Sequence, residues 1–144
     1  MIIADLTALY KGQEIGYNST IPKGGVPAMK KNLHAVVSAR LFTDQKCFGP
    51  GIAELLRHVD ELHSLRAAAQ AMEMAYSKAW TIMKNAEAGL GVKLLDSSTG
   101  GKNGGGAALT EDARRILGAY ERYCERLRAY SETLIAEEFA FYLQ

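Results

Sequence analysis

The sequence of 144 residues predicts a mainly α-helical fold with a small β component. Three observations lead to this prediction. Two short helical patterns follow each other across a tight connection within residues 65–83, a glycine-dense loop at residues 99–106 lies between two short apolar segments, and a long helical pattern with regularly spaced apolar residues comes last. This order of elements is that of a winged helix-turn-helix with a β-hairpin wing and a long C-terminal helix.

The chain divides into an N-terminal extension, residues 1–32, and a single domain, residues 33–144. In the extension, a few apolar residues at helical spacing are followed by glycines and prolines that interrupt any regular element. The domain opens with residues 33–42, where partial alternation and the β-branched pair Val36 and Val37 predict a strand.

Local signals then mark the first two helices. Pro50 has a fixed φ that suits a first helical turn, and the following residues 52–59 carry one apolar face. Ser64 is the predicted N-cap of the second helix, because its hydroxyl can accept a hydrogen bond from an unpaired amide of the first turn. The small apolar residues 67–69 allow this second helix to pack closely.

The third helix and the wing follow. Residues 75–88 show a helical apolar face, and Gly89 and Gly91 are predicted to end the helix. Residues 92–95 and 107–109 are predicted to pair as the two strands of the hairpin, with the glycine-dense loop between them.

A long last helix is predicted at about residues 110–137. Thr110 is its predicted N-cap, and acidic residues occupy the first turn, where the helix dipole favours them. Its apolar residues follow a heptad spacing, which predicts either packing on the domain's own core or pairing with a second copy. Length and tyrosine content favour a homodimer interface, made by Ile116, Tyr120, Tyr123, Leu127, Tyr130 and Leu134.

Composition excludes several classes of protein. No apolar run is long enough to cross a bilayer and the N-terminus lacks the features of a signal peptide, so we expect a cytoplasmic protein that does not bind membranes. Cys47 and Cys124 lie far apart without ligand-spaced partners, and the three histidines form no constellation. We therefore expect no metal, no cofactor, no catalytic residues and no enzymatic activity.

The formal net charge of +1 gives no overall basic footprint, which counts mildly against binding to nucleic acid. The charges are unevenly distributed, however. The segment from Ser64 to Lys102 contains more basic than acidic residues. The five basic residues are Arg66, Lys78, Lys84, Lys93 and Lys102, and the three acidic ones are Glu73, Glu87 and Asp96.

The third helix has the residue types of a helix that reads DNA bases. Lysine side chains can reach phosphates or guanine, while serine, threonine and asparagine can bond to base edges. The alternative is an ordinary solvated helix face. Trp80 could stack on a base, but we expect it to pack in the core, as we do the methionines. The predicted DNA-binding residues are Ser64, Arg66, Tyr76, Ser77, Lys78, Thr81, Lys84, Asn85, Thr99, Lys102 and Asn103.

The glycine-dense loop is the most specific indication of function in the sequence. Five glycines around Lys102 would let the backbone approach an anion closely. A nucleotide phosphate loop, and with it a small phosphate-binding enzyme, is disfavoured because Asn103 stands where serine or threonine is required and because a strand rather than a helix follows. A wing that contacts the DNA backbone fits better, and an inert hairpin remains the alternative.

From about Leu33 to Leu134 the chain resembles the DNA-binding domain of molybdate-responsive ModE-type transcriptional regulators, a winged helix-turn-helix of the LysR-like kind. The motifs that carry this resemblance are Phe48-Gly49-Pro50-Gly51 before the first helix, Ser64-Leu65 and Ala67-Ala68 in the second, Tyr76-Ser77-Lys78-Ala79-Trp80 in the third, and Thr99-Gly100-Gly101-Lys102 with Gly104-Gly105-Gly106 and Leu109-Thr110 around the wing.

The resemblance implies a homodimer that binds a partly palindromic operator in double-stranded DNA. It implies dimer contacts through the N-terminal strand region, the first helix and the last helix, and DNA contacts at Ser64, at residues 76–78 and around Thr99 and Lys102. Full-length members of the family also carry C-terminal molybdate-binding domains, whereas the present residues end at Gln144. We therefore expect a stand-alone regulator, one that acts with a separate effector or sensor protein, or one that responds to another signal.

The function predicted from the sequence is thus that of a sequence-specific, homodimeric DNA-binding transcriptional regulator with a link to molybdate metabolism. The alternative is a winged-helix protein-interaction module that does not bind DNA, for which the near-neutral charge speaks.

Overall fold

The computed structural model describes residues 32–97 and 106–143. Its elements in chain order are β1 Leu41–Phe42, β2 Lys46–Phe48, α1 Pro50–Leu62, α2 Leu65–Ala71, α3 Tyr76–Leu90, β3 Leu95–Ser97, β4 Ala107–Leu109, α4 Glu111–Glu138 and α5 Ala140–Leu143. The predicted fold class is confirmed: three short helices, a small hairpin and a long last helix follow one another as in a winged helix. The predicted extension lies outside the described residues up to position 31.

Two antiparallel strand pairs flank the three short helices. The pair β1–β2 precedes α1, and the pair β3–β4 forms the base of the wing, with Leu95 opposite Leu109 and Ser97 opposite Ala107. The predicted strand over residues 33–42 is wrong except for its last two residues, Leu41 and Phe42. A β-branched sequence forms a strand only where its backbone can pair with another strand, and residues 32–40 have no regular structure.

The base of the wing begins later than the sequence predicts. Residues 92–94 are not part of a strand, and β3 starts at Leu95. The backbone amides of Leu94 and Leu95 donate to the Glu87 carboxylate at 2.9 and 3.4 Å. A side chain of α3 therefore takes up backbone groups that the sequence pattern assigns to a strand.

Local capping signals are confirmed at two helices. The Ala67 amide donates to the Ser64 hydroxyl at 3.2 Å, and the Ala113 amide donates to the Thr110 hydroxyl at 3.0 Å. Each of these bonds satisfies an amide that has no partner within its own helix.

The end of α3 differs from the sequence prediction. Gly91 ends the helix in the left-handed conformation, at φ 70°, as predicted. Gly89 does not end it, because the helix runs through this position to Leu90. Gly89 instead allows α3 to approach β2: a Cβ atom placed on Gly89 would lie 2.6 Å from the Cβ atom and 3.3 Å from the Cα atom of Cys47.

Gly89→Ala is expected to destabilise the domain by about 1–3 kcal/mol, because an added methyl group in a close backbone contact forces neighbouring atoms to move. This loss exceeds the gain of about 1 kcal/mol that alanine usually brings inside a helix. Chemical denaturation of the variant and the parent protein measures the difference. A variant more stable than the parent would show that β2 and α3 separate without cost.

The core lies where α1 meets β2, α3 and the wing. Its largest fully buried side chains are Phe48, Leu55, Leu56, Val59, Met83 and Leu94. The first half of α4 joins this core through Leu117 and Tyr120, whose ring packs edge-on against Phe48 at 5.0 Å between ring centroids. The Tyr120 hydroxyl donates to the Ala39 carbonyl at 2.8 Å.

Two ion pairs also join α1 to α4. Arg57 Nε donates to Glu121 Oε1 at 2.6 Å, and Arg114 donates to Asp60 at 2.7 Å. All four side chains are close to half exposed, so each pair contributes at most about 1 kcal/mol. Burial of Phe48 and Tyr120 therefore sets the position of α4 more strongly than charge does.

The second half of α4 extends beyond the core. Among the described residues it contacts mainly the short α5, and Tyr123, Tyr130 and Leu134 are 50%, 62% and 37% exposed. No helix within the described ranges is both long enough and apolar enough to span a membrane.

Candidate nucleic-acid interface

Helices α2 and α3 form a helix-turn-helix unit. The turn between them is tight because Glu73 adopts a left-handed conformation, at φ 53°, and the Met74 amide donates to the Ala69 carbonyl at 2.9 Å. Ala68 and Ala69 are buried, which lets α2 lie close under α3. As predicted, Met83 is buried and Met72 and Met74 pack against the core. The unit therefore packs one face of α3 against the core and leaves the other face exposed to solvent.

The exposed face of α3 carries the residues that the sequence predicted. Tyr76, Ser77, Lys78, Thr81, Lys84 and Asn85 are all exposed, whereas Ala79, Met83 and Ala86 are buried. The Thr81 hydroxyl donates to the Ser77 carbonyl at 2.9 Å, so its lone pairs remain as acceptors at the surface.

Trp80 is not in the core, contrary to the prediction. It is 48% exposed and follows Tyr76 by one helical turn. The Arg66 guanidinium lies 4.5 Å from the centre of the Tyr76 ring, and the Lys84 ammonium lies 5.6 Å from the centre of the Trp80 ring. Arg66, at the start of α2, thus joins the residues of α3 in one surface. Sequence pattern alone missed Trp80, although its spacing of four residues from both Tyr76 and Lys84 places all three on one side of the helix.

Glu87 connects α3 to the wing. One carboxylate oxygen accepts from the amides at the base of β3, and the other accepts from Lys84 at 2.8 Å. Burial raises the pKa of the Glu87 carboxyl, but the hydrogen bonds from Lys84 and from the Leu94 and Leu95 amides outweigh it and hold the pKa below its usual value. Glu87 is therefore ionised at neutral pH, and it holds Lys84 and the wing base together.

Hydrogen bonds also connect the base of the wing to the start of α4 and to the segment between α1 and α2. The Thr110 hydroxyl donates to the Lys93 carbonyl at 2.7 Å, and the Ala107 amide donates to the His63 carbonyl at 2.9 Å. These bonds fix the base of the hairpin beside the N-terminal end of α2. The predicted wing residues Thr99, Lys102 and Asn103 lie outside the described residues.

Between α3 and the wing lies a groove of about 540 Å³. Its lining includes Ser64, Arg66, Tyr76, Trp80, Lys84, Glu87, Lys93, Leu95, Ser97 and Ala107. Lys84 is paired with Glu87, and Lys93 lies 3.6 Å from Asp96. Arg66 in this lining, and Lys78 on the exposed face of α3, make no ion pair with any residue that the structure describes, so both can meet an anionic partner.

The predicted heptad seam on α4 is divided between two environments. Tyr120 is buried in the chain's own core and Ile116 packs against that core. Leu127 is half-buried, whereas Tyr123, Tyr130 and Leu134 are exposed. Of the six residues predicted for a dimer interface, Tyr123, Tyr130 and Leu134 are therefore the ones that remain exposed for a second copy to cover.

No group of three or more potential metal ligands occurs in the part of the chain that the structure describes. Cys47 is buried and Cys124 is partly buried, and both are free thiols.

Two comparisons with known proteins agree with this geometry. Residues 53–114 match the family described as a bacterial regulatory helix-turn-helix protein of the lysR family, a range that runs from α1 through the wing base into α4. The chain is also 33% identical over 89 residues to the transcriptional regulator ModE of Haemophilus influenzae. This match covers 62% of the chain but only 34% of the relative, so the chain spans about one third of that protein's length.

The resemblance predicted from the sequence is thereby confirmed. The family and the relative are described as regulators and not as enzymes. Residues 53–114 thus match the LysR-family helix-turn-helix, and the chain is similar to the transcriptional regulator ModE over the 89 aligned residues.

Proposed function

We propose that this protein is a transcriptional regulator that binds double-stranded DNA in a sequence-specific way. The observation that carries the proposal is the exposed face of α3, where Ser77, Lys78, Thr81 and Asn85 stand on a helix held between a capped α2 and a wing. Hydroxyl, amide and ammonium groups are the ones that bond to base edges in the major groove. The match to a family of regulatory helix-turn-helix proteins supports the same function.

In this proposal α3 enters the major groove and the wing contacts the flanking backbone. Ser64 caps α2 at the edge of the same surface, where the free amides of a helix N-terminus favour a phosphate. Thr99, Lys102 and Asn103, in the wing loop, are proposed to contact the backbone or the minor groove.

We further propose that two copies bind a palindromic operator, paired through the exposed part of α4. A symmetric dimer presents two α3 helices to two half-sites separated by about one turn of DNA. A link to molybdate metabolism is proposed on the resemblance to the transcriptional regulator ModE.

Selection of bound sequences from a random duplex pool, with and without molybdate, tests these proposals together. The expected result is an enriched palindrome whose affinity falls steeply with salt, because each neutralised phosphate releases counterions. Enrichment of no sequence, with no binding even at low salt, would favour the alternative of a protein-interaction module, for which the formal net charge of +1 speaks. An enriched sequence without symmetry would contradict the dimer but not the regulator.

Lys78→Ala is expected to weaken operator binding by about 1–3 kcal/mol and to leave the melting temperature nearly unchanged, because Lys78 is exposed and makes no ion pair within the described residues. Fluorescence anisotropy with the selected duplex measures the affinity.

Lys46→Ala is the matched control. It removes the same charge from an exposed position on β2, which packs near the C-terminal end of α3, about 20 Å along that helix from Tyr76. Equal losses in the two variants would show that α3 contributes only general charge, and an unchanged affinity in Lys78→Ala would remove Lys78 from the interface.

A further inference from the structure

The groove between α3 and the wing has an aromatic wall that the proposed reading of bases does not use. Tyr76, Trp80 and Lys84 are spaced four residues apart and therefore form one line along α3. At 3.6 residues per turn, this line lies about a quarter turn around the helix from the polar face made by Ser77, Thr81 and Asn85. When the polar face points at the bases, the aromatic line points to the side, toward the wing.

The opposite wall of this groove is the base of the wing. Leu95, Ser97 and Ala107 face the aromatic line across a space of about 540 Å³. The groove lining therefore combines aromatic and aliphatic side chains with the Ser97 hydroxyl and the Glu87 carboxylate. Three basic side chains also line it: Arg66 lies next to Tyr76, whereas Lys84 and Lys93, toward the wing base, are paired with Glu87 and Asp96.

A sugar–phosphate strand matches this arrangement of aromatic rings and basic side chains. The major groove is about 12 Å wide, close to the diameter of a helix with its side chains, so the flanks of α3 meet the strands that border the groove. Because the wing stands beside α3, one bordering strand must pass between them. Its deoxyribose carbons would meet the two rings, and its phosphates would meet Arg66, the lining cation that makes no ion pair among the described residues.

We propose that Trp80, together with Tyr76, is the surface on which one deoxyribose–phosphate strand of duplex DNA lies, so that Trp80 contributes affinity without sequence preference. This inference rests on the proposed DNA-binding function. It assigns Trp80 a role different from that of Ser77, Lys78, Thr81 and Asn85: those residues select the sequence, whereas Trp80 holds the strand.

Trp80 is the only tryptophan in the sequence, so its fluorescence reports on this one position. In the free protein its ring is about half exposed. On binding, the strand covers the ring, and acrylamide is expected to quench the emission less strongly with the selected operator and also with an unrelated duplex at low salt. Quenching that stays the same in saturated complexes of both duplexes would overturn the proposal.

Trp80→Ala is expected to weaken binding to the operator and to the unrelated duplex by the same factor, about tenfold, and to leave their affinity ratio unchanged. Half of a tryptophan ring corresponds to about 100 Å² of apolar surface, whose burial is sufficient for such an effect. Trp80→Phe retains part of the ring and is expected to lose less. Phe42→Ala, which removes an exposed aromatic ring on β1, serves as the matched control and is expected to bind as the parent does.

The outcomes separate the two proposals. A changed affinity ratio in Trp80→Ala would show that Trp80 reads a base, and an unchanged affinity for both duplexes would show that it lies away from DNA; either result overturns the inference and leaves the DNA-binding function intact. Failure of the parent protein to bind any duplex at low salt would overturn both.

Discussion

Phe48→Ala is expected to lower the free energy of unfolding by about 3–5 kcal/mol, the usual cost of removing a fully buried phenylalanine ring from a core. Phe48 has no exposed surface, and it packs against Tyr120 of α4 with ring centroids 5.0 Å apart. Since a domain of this size has a total stability of about 5–15 kcal/mol, the variant is expected to be marginal at physiological temperature. Urea denaturation measures the change as a lower midpoint.

Tyr120→Phe separates the ring contact from the hydroxyl contact. This variant keeps the aromatic pair with Phe48 and removes the hydrogen bond to the Ala39 carbonyl, so a loss of about 1 kcal/mol is expected. A loss in Tyr120→Phe as large as the loss in Phe48→Ala would show that the hydroxyl bond stabilises the fold as much as the buried Phe48 ring does.

Signals carried by one residue and its immediate neighbours were predictable from the sequence. Ser64 and Thr110 accept hydrogen bonds from amides three residues later, a relation that depends only on the local chain. The apolar faces of α1 and α3 were likewise predictable, because a helix of regular period fixes which residues share a face. The arrangement of the helix-turn-helix follows from these local features.

Features that depend on distant partners were not predictable in this way. The strand expected at residues 33–42 fails because only its last two residues pair with β2. Gly89 was expected to end α3, whereas its role is to admit Cys47, which lies about forty residues earlier in the sequence. Trp80 was expected in the core because it is large and apolar, yet the wing leaves open the groove in which its ring lies.

The partner of the heptad seam of α4 could not be predicted from the sequence either, and this partner matters for function. A periodic pattern states that residues share a face, but not which molecule covers that face. Tyr120 is covered by the chain's own core, whereas Tyr123 and Tyr130, three and ten residues later, are 50% and 62% exposed. The seam therefore begins as an intramolecular contact and continues as an uncovered aromatic face.

Tyr123→Glu combined with Tyr130→Glu is expected to convert a dimeric protein into a monomer. Both side chains are exposed in the single chain, so the substitutions leave its core intact, while a dimer would have to bury two carboxylates from each copy without partners. Sedimentation velocity measures the change in mass. The affinity for a palindromic operator is expected to fall at least about 100-fold, because two linked α3 helices bind two half-sites with a high effective concentration that a monomer lacks.

Ala129→Glu combined with Ala136→Glu is the matched control for this experiment. These alanines are also seven residues apart and exposed on α4, but they lie on a different side of the helix from the tyrosines. The control variant is expected to stay dimeric and to bind the operator as the parent does. Dissociation of both variants would show that added negative charge on α4, and not loss of the tyrosine face, separates the copies. A tyrosine variant that still sediments as a dimer would place the interface elsewhere, while a monomeric variant with full operator affinity would show that one copy suffices for binding.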